Sequence, residues 1–228
     1  GEYSALVASG ALDFASALRL VNERGRLMGE LGEGEMEALP LEFEAAKNIA
    51  EQHYCAVAAC NLPDQTVVGG RAADLDRLIE QFGIDFPAKR SARLKTEGAF
   101  HTFYMIETAM QFRSTLANAP FQSPAVSVPS NASGAFHTKD PDAIRAALFI
   151  QLFSPVLWNA NLNHAVKSGC QTIIEFGGGI GKGQDPAEKK PNLAGIVKKT
   201  FRRHDHPPQY SGVINIDTLE KSIALCTT

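Results

Sequence analysis

The sequence predicts an α/β chain carrying a small inserted subdomain, and three observations support this. Short apolar runs of strand length, CAVAAC at 55–60 and QTVVGG at 65–70, alternate with a helical stretch, AADLDRLIEQFG at 72–83. The glycine- and glutamate-rich texture that begins at Gly32 sets this βαβ-like rhythm apart from the helical segments before it. At 228 residues and 44% hydrophobic content, the chain can bury a substantial core beside such an insert. The expected division is residues 1–34 as the first part of a large subdomain, 35–94 as the insert, and 95–228 as the second part with a tail.

Taken in order, residues 1–9 lack breakers and end at Gly10, which predicts a short helix stopped by glycine. Asp13 is a good N-cap for a second helix. Ala17, Val21, Arg24 and Met28 repeat there at helical spacing as an apolar stripe, opposite Arg19, Asn22, Glu23, Arg26 and Glu30. Arg24 is the one charge on that stripe. After the insert, GAFH (98–101) opens a new section, and Met105, Ala109, Phe112 and Leu116 predict a helix. AVSVPSN (125–131) reads as a β-prone run. Asp140 and Pro141 are a cap and first-turn proline for the helix DAIRAALFIQLF, and Ser154-Pro155 leads into another helix around Trp158. QTIIEF (171–176) is a strand running into Gly177, Gly178, Gly179 and Gly181, followed by a lysine-rich stretch and a tail without a clear pattern.

Composition narrows the function classes. The 22 basic and 25 acidic residues are interspersed and sum to a net charge of −3, so the chain carries no electrostatic footprint for nucleic acid or an anionic membrane. It has no apolar run of bilayer length and no basic segment followed by an apolar one, which points to the cytoplasm. Cys55, Cys60, Cys170 and Cys226 form no CxxC pair and read as reduced, mostly buried thiols. GGGIGKG (177–183) follows a strand but lacks both Walker and dinucleotide spacing, which leaves a tight strand-to-helix turn. His204, Asp205 and His206 have no third ligand at a metal-site spacing, so they read as a solvated loop and no metal is expected. His53, His137 and His164 lack patterned partners and read as surface or satisfied core histidines.

Three residues stand out chemically. Arginine on an apolar stripe needs an anionic partner, so Arg24 is either one half of a structural ion pair or a fork that receives a substrate carboxylate. Gln151 lies at i+7 from Ile144 and i+3 from Leu148 on a buried helical face, where its amide either bridges loops or orients a catalytic side chain. His101 stands at the entry to a helix, a place from which a side chain can project into a cleft, although lone histidines are commonly structural.

These residues sit in segments that resemble the malonyl-CoA:acyl carrier protein transacylase family, the acyltransferases of fatty acid and polyketide synthesis. The segments are GEYSALVASGALDFASALRLVNERGRLM from Gly1, NLPDQTVVGG (61–70), GAFH (98–101), VSVPSNASG (126–134), IQLFSPVLW (150–158) and EFGGG (175–179). The resemblance covers nearly the whole chain to about residue 200 and implies an α/β-hydrolase-like large subdomain with an inserted ferredoxin-like small subdomain. It places Arg24 as the holder of the malonyl carboxylate, His101 as general base and acid, and the Gln151 backbone carbonyl as the group that orients His101. Phe100 matches the form associated with malonyl rather than methylmalonyl substrates.

The chemistry so implied is ping-pong transfer of a malonyl group from malonyl-CoA to an acyl carrier protein through an acyl-serine, without a cofactor. Gly1 falls on the last glycine of the GxSxG elbow, so the nucleophile is expected two residues upstream of it. Thr102-Phe103 departs from the commoner Ser-Pro, and Gly178 from the proline of the GPG turn. A non-catalytic carrier-binding fragment and an editing acyl hydrolase are the competing readings, and Arg24 argues against the hydrolase.

Overall fold

The computed structural model describes residues 1–227, in two compact units, 1–161 and 162–228 less its last residue. In the first unit the helix α1 (Glu2–Ala8) ends at Ser9, and Gly10 turns the chain at φ +76°. Asp13 then caps α2 (Phe14–Leu31) by accepting a hydrogen bond from the Ser16 amide at 2.9 Å. The buried stripe of α2 is Ala17, Leu20, Leu27 and Met28, with Arg24 between them. Val21, expected on that stripe, is 47% exposed, because at about 100° per residue Leu20 lies closer to the centre of the Ala17–Leu27 face. Val21 instead joins Phe14 and Leu18 on an exposed apolar face.

The segment from Glu35 to Leu94 runs β1 (Glu35–Leu39), α3 (Phe43–Gln52), β2 (Ala56–Leu62), β3 (Gln65–Gly70), α4 (Ala72–Asp85) and β4 (Ala92–Leu94). Its strands form one antiparallel sheet in the order β2-β3-β1-β4, the ferredoxin-like arrangement. Period-2 alternation divides the sheet's side chains between two cores. Leu39, Val57 and Val68 pack with α3 and α4 through Ile49, Leu75, Leu78 and Phe82. On the other side Met36, Ala38, Ala58, Ala59 and Val67 meet Leu94, Phe100 and Val156.

Beyond the sheet, a 3-10 turn (Phe103–Met105) leads into α5 (Ile106–Ala117), whose Met105–Ala109–Phe112–Leu116 stripe is buried as its spacing predicts. Residues 125–131 do not make the strand their composition suggests. Pro124 and Pro129 withhold ladder donors, so only β5 (Pro129–Ser130) pairs, with β6 (Ala135–Phe136). Asp140 caps α6 (Pro141–Gln151), which packs Ile144 and Leu148 into the same core as α1, α2 and α5.

α7 (Trp158–Lys167) precedes β7 (Thr172–Phe176). In the second unit β7 pairs in parallel with β8 (Gln209–Val213), the connection carrying α8 (Ala194–Thr200), and α9 (Ile216–Thr227) follows. The glycine run after β7 is a turn whose geometry requires glycine at 179, where φ is +69° and a Cβ would lie 2.8 Å from Lys189 Cβ. His204 lies in a loop and packs edge-on against Phe201 at 5.0 Å between ring centroids. Cys55 and Cys60 are buried free thiols and Cys170 is half-buried; the side chain of Cys226 lies outside the described residues. Among the described residues no helix is long and apolar enough to cross a membrane.

Candidate active site

Three separate elements of the first unit bring Arg24, His101 and Gln151 together. Arg24 comes from the middle of α2. Gln151 is the last residue of α6, so its carbonyl has no partner within the helix and is free to accept a hydrogen bond from elsewhere. His101 sits on a tight turn with φ +61°, a left-handed conformation that costs a non-glycine residue about 1–3 kcal/mol.

The surrounding turn holds His101 in that conformation. The Ala99 amide donates to the Glu33 carbonyl at 2.7 Å, and the buried Thr102 hydroxyl donates to the Ala99 carbonyl at 2.5 Å. The same hydroxyl oxygen caps the following turn by accepting from the Tyr104 amide at 3.3 Å. Thr102, a departure from the family pattern, thus closes the turn that presents the histidine. Gly69 allows the approach: a Cβ there would meet Ala99 Cβ and Thr102 Cγ2 at 3.1 Å each.

The three side chains form one network. Gln151 O and Gln151 Nε2 each lie 2.9 Å from His101 Nδ1, while Arg24 Nη2 donates to Gln151 Oε1 at 3.2 Å. Arg24 Nε is buried without a hydrogen-bond partner among the described residues, as is the Tyr3 hydroxyl. Guanidinium groups only donate, so Arg24 keeps donor capacity for an anion. Burial lowers the Arg24 pKa and pushes the Tyr3 phenol up to about 12. His101 is held below the usual imidazole value, chiefly by burial and further by the Arg24 cation; the Gln151 carbonyl and Glu2 pull the other way. A neutral imidazole beside a fixed cation suits a base that works on a carboxylate-bearing substrate.

Phe100 is placed differently. Its ring wedges against Gly32 and Gly98, where added Cβ atoms would stand 3.3 and 3.0 Å from Phe100 Cε1, and it packs with the helical core and with one face of the sheet.

Beside this network lies a buried pair that the sequence pattern does not reveal. Glu2 Oε1 is 2.7 Å from His137 Nε2, with the side chains 5% and 2% exposed, and the Asn131 amide donates to Glu2 Oε2 at 3.4 Å. His137 is therefore a satisfied core histidine. The two partners are 135 residues apart, a separation that leaves no periodic trace, and the one local sign was a carboxylate directly after Gly1.

Residues 1–177 match the family model described as acyl transferase domain. The chain is 34% identical over 212 residues to a malonyl CoA-acyl carrier protein transacylase of Bacillus subtilis, covering 89% of this chain and 63% of that protein. The Escherichia coli protein of the same name is 33% identical over 190 residues, 78% of this chain and 60% of its own length. Among solved structures, the malonyl CoA-acyl carrier protein transacylase of Clostridium perfringens superposes with a TM-score of 0.83 at 28% identity, over 100% of this chain and 69% of that one. The chain thus spans less than two thirds of the length of the curated relatives named here.

Proposed function

Because the chain belongs to the acyl transferase domain family, we propose that the complete protein transfers a malonyl group from coenzyme A to the phosphopantetheine thiol of an acyl carrier protein. The observation that carries this reading is a half-buried arginine whose Nε has no hydrogen-bond partner among the described residues, one glutamine away from a histidine. The Arg24 fork would receive the malonyl carboxylate and fix the thioester carbonyl relative to His101.

The nucleophile is the serine expected two residues upstream of Gly1. His101 Nε2 takes its proton as the serine oxygen attacks the thioester carbonyl, and returns a proton to the departing coenzyme A sulfur. His101 then serves the carrier's thiol in the same way as that thiol attacks the acyl-serine. Gln151, at the carboxyl end of α6, offers its carbonyl to the Nδ1 proton and favours the imidazolium that forms in each step. Phe100, on the resemblance, limits room beside the acyl group, and a ring locked against Gly32 and Gly98 suits that role. A cytoplasmic location belongs to the same proposal and fits the free thiols at Cys55, Cys60 and Cys170.

The test uses radiolabelled malonyl-CoA and the complete polypeptide. Label is expected on serine and then on holo acyl carrier protein. Each charge-assisted hydrogen bond to Arg24 is worth roughly 1.5–3 kcal/mol, so Arg24→Ala should lower acylation by about 10²-fold or more. Faster labelling by acetyl-CoA than by malonyl-CoA would overturn the substrate assignment. Release of label to water ahead of transfer to the carrier would favour an editing hydrolase.

A further inference from the structure

We propose that the Gln151 side chain holds His101 in a non-basic tautomer until a substrate carboxylate engages Arg24, so that carboxylate recognition itself switches on the base. The inference rests on the malonyl-transfer reading and gives a switching role to the side chain of a residue whose backbone carbonyl the family resemblance singles out.

The argument begins with donors and acceptors. Arg24 can only donate, so the Gln151 amide must turn its oxygen toward Arg24, and this directs its NH2 group at His101 Nδ1, 2.9 Å away. An amide NH2 only donates, so that contact requires a lone pair on Nδ1 and places the imidazole proton on Nε2. The Gln151 carbonyl, also 2.9 Å from Nδ1, only accepts, and requires the proton on Nδ1. One nitrogen cannot satisfy both groups. His101 therefore has two tautomers, each matched by a different part of the same residue.

Only one of them can catalyse. With the proton on Nε2 and Nδ1 occupied by the amide, His101 has no lone pair to offer a serine hydroxyl. With the proton on Nδ1 and donated to the Gln151 carbonyl, Nε2 is free to accept.

Arg24 links this choice to substrate. A carboxylate is a stronger acceptor for a guanidinium than an amide oxygen, and it can use Arg24 Nε, which has no hydrogen-bond partner among the described residues, as well as Nη2. Displacing Gln151 Oε1 removes the tether that aims the amide NH2 at Nδ1. The proton on Nε2 then passes to water, Nδ1 takes one from water, and the exchange leaves no net change in protons. An acyl-CoA without the carboxylate leaves the tether in place, so discrimination appears in kcat and not in KM alone.

The experiment has a ligand-free arm and a kinetic arm. In the ligand-free arm, 15N NMR of the histidines is recorded on the complete protein at about pH 8, above the ordinary imidazole pKa. The wild type should show His101 as the Nε2–H tautomer. Gln151→Leu, which keeps the carbonyl but loses the amide, should show Nδ1–H. Gln151→Glu, nearly isosteric and able only to accept, should also show Nδ1–H, and it covers the case in which the leucine variant does not fold. A wild-type His101 already in the Nδ1–H form, or variants that stay Nε2–H, would sink the proposal.

In the kinetic arm, the complete protein carrying Gln151→Leu should acylate from acetyl-CoA with a kcat about tenfold above wild type, the size of one hydrogen bond released. The malonyl-to-acetyl kcat ratio should fall to match. An acetyl rate that is unchanged or lower would mean that the side chain only builds the pocket, and the proposal would fail. Absence of malonyl labelling in the wild type would instead remove the acyl-transfer reading, whatever tautomer is found.

Discussion

At the scale of single residues, the site depends on buried charges whose partners lie far away in sequence. His137→Ala should destabilise the protein by about 1–3 kcal/mol in urea unfolding, because the buried Glu2 side chain would lose its hydrogen-bond partner. His137→Gln retains a donor and should lose much less. The pH dependence of acylation follows from His101. In the proposed role of base His101 works only when neutral, so kcat/KM should fall as pH drops through a pKa held below the ordinary value of about 6.5 by burial and by Arg24. Replacing Arg24 with methionine removes a cation that depresses this pKa and should move the acid limb to higher pH. Glu2→Gln removes a charge that raises it and should move the limb lower. Rate profiles with malonyl-CoA check both signs.

At the scale of elements, strands and helices place the groups of the candidate site by terminating where they do. α6 ends at Gln151, so an unpaired helical carbonyl becomes the histidine's partner, and the buried Ile144–Leu148 stripe fixes the rotation that points it there. Leu148→Ala should cost about 2–5 kcal/mol through the cavity it leaves, and it should also lower acylation. Calorimetry and the labelling assay together read both effects. In the small sheet, Arg93 on β4 gathers Glu35, Glu37 and Asp76, with its Nε 2.8 Å from the buried Glu37 carboxylate. Arg93→Leu should destabilise the β1–β4 pairing by about 3 kcal/mol, since Glu37 would stay buried without its cation, and amide exchange along β1 should speed up. Charge pairing across neighbouring strands is how this edge is held.

At the scale of the molecule, the residues of the candidate site all belong to the first unit although they span most of its length, from Arg24 to Gln151. A bound malonyl-CoA at about 100 times its Kd should stabilise the folded state by roughly 2.7 kcal/mol. Hydrogen exchange in the complete protein should slow together in residues 14–31, 98–105 and 141–152, and Arg24→Ala should abolish the effect in all three. Much of this was legible beforehand. Arg24 on a helical stripe, Gln151 on a buried face and the cap at Asp140 follow from periodicities and side-chain chemistry within a dozen residues, and such local rules do not depend on the rest of the chain. The ordered motifs carried the family as well. Other features needed the folded chain: the side on which Val21 falls, the brevity of the strand at 129–130, the Glu2–His137 pair and the contest of two Gln151 groups for one nitrogen of His101. Each depends on distances between segments remote in sequence, and those distances are set by packing of the whole core, which no local spacing encodes.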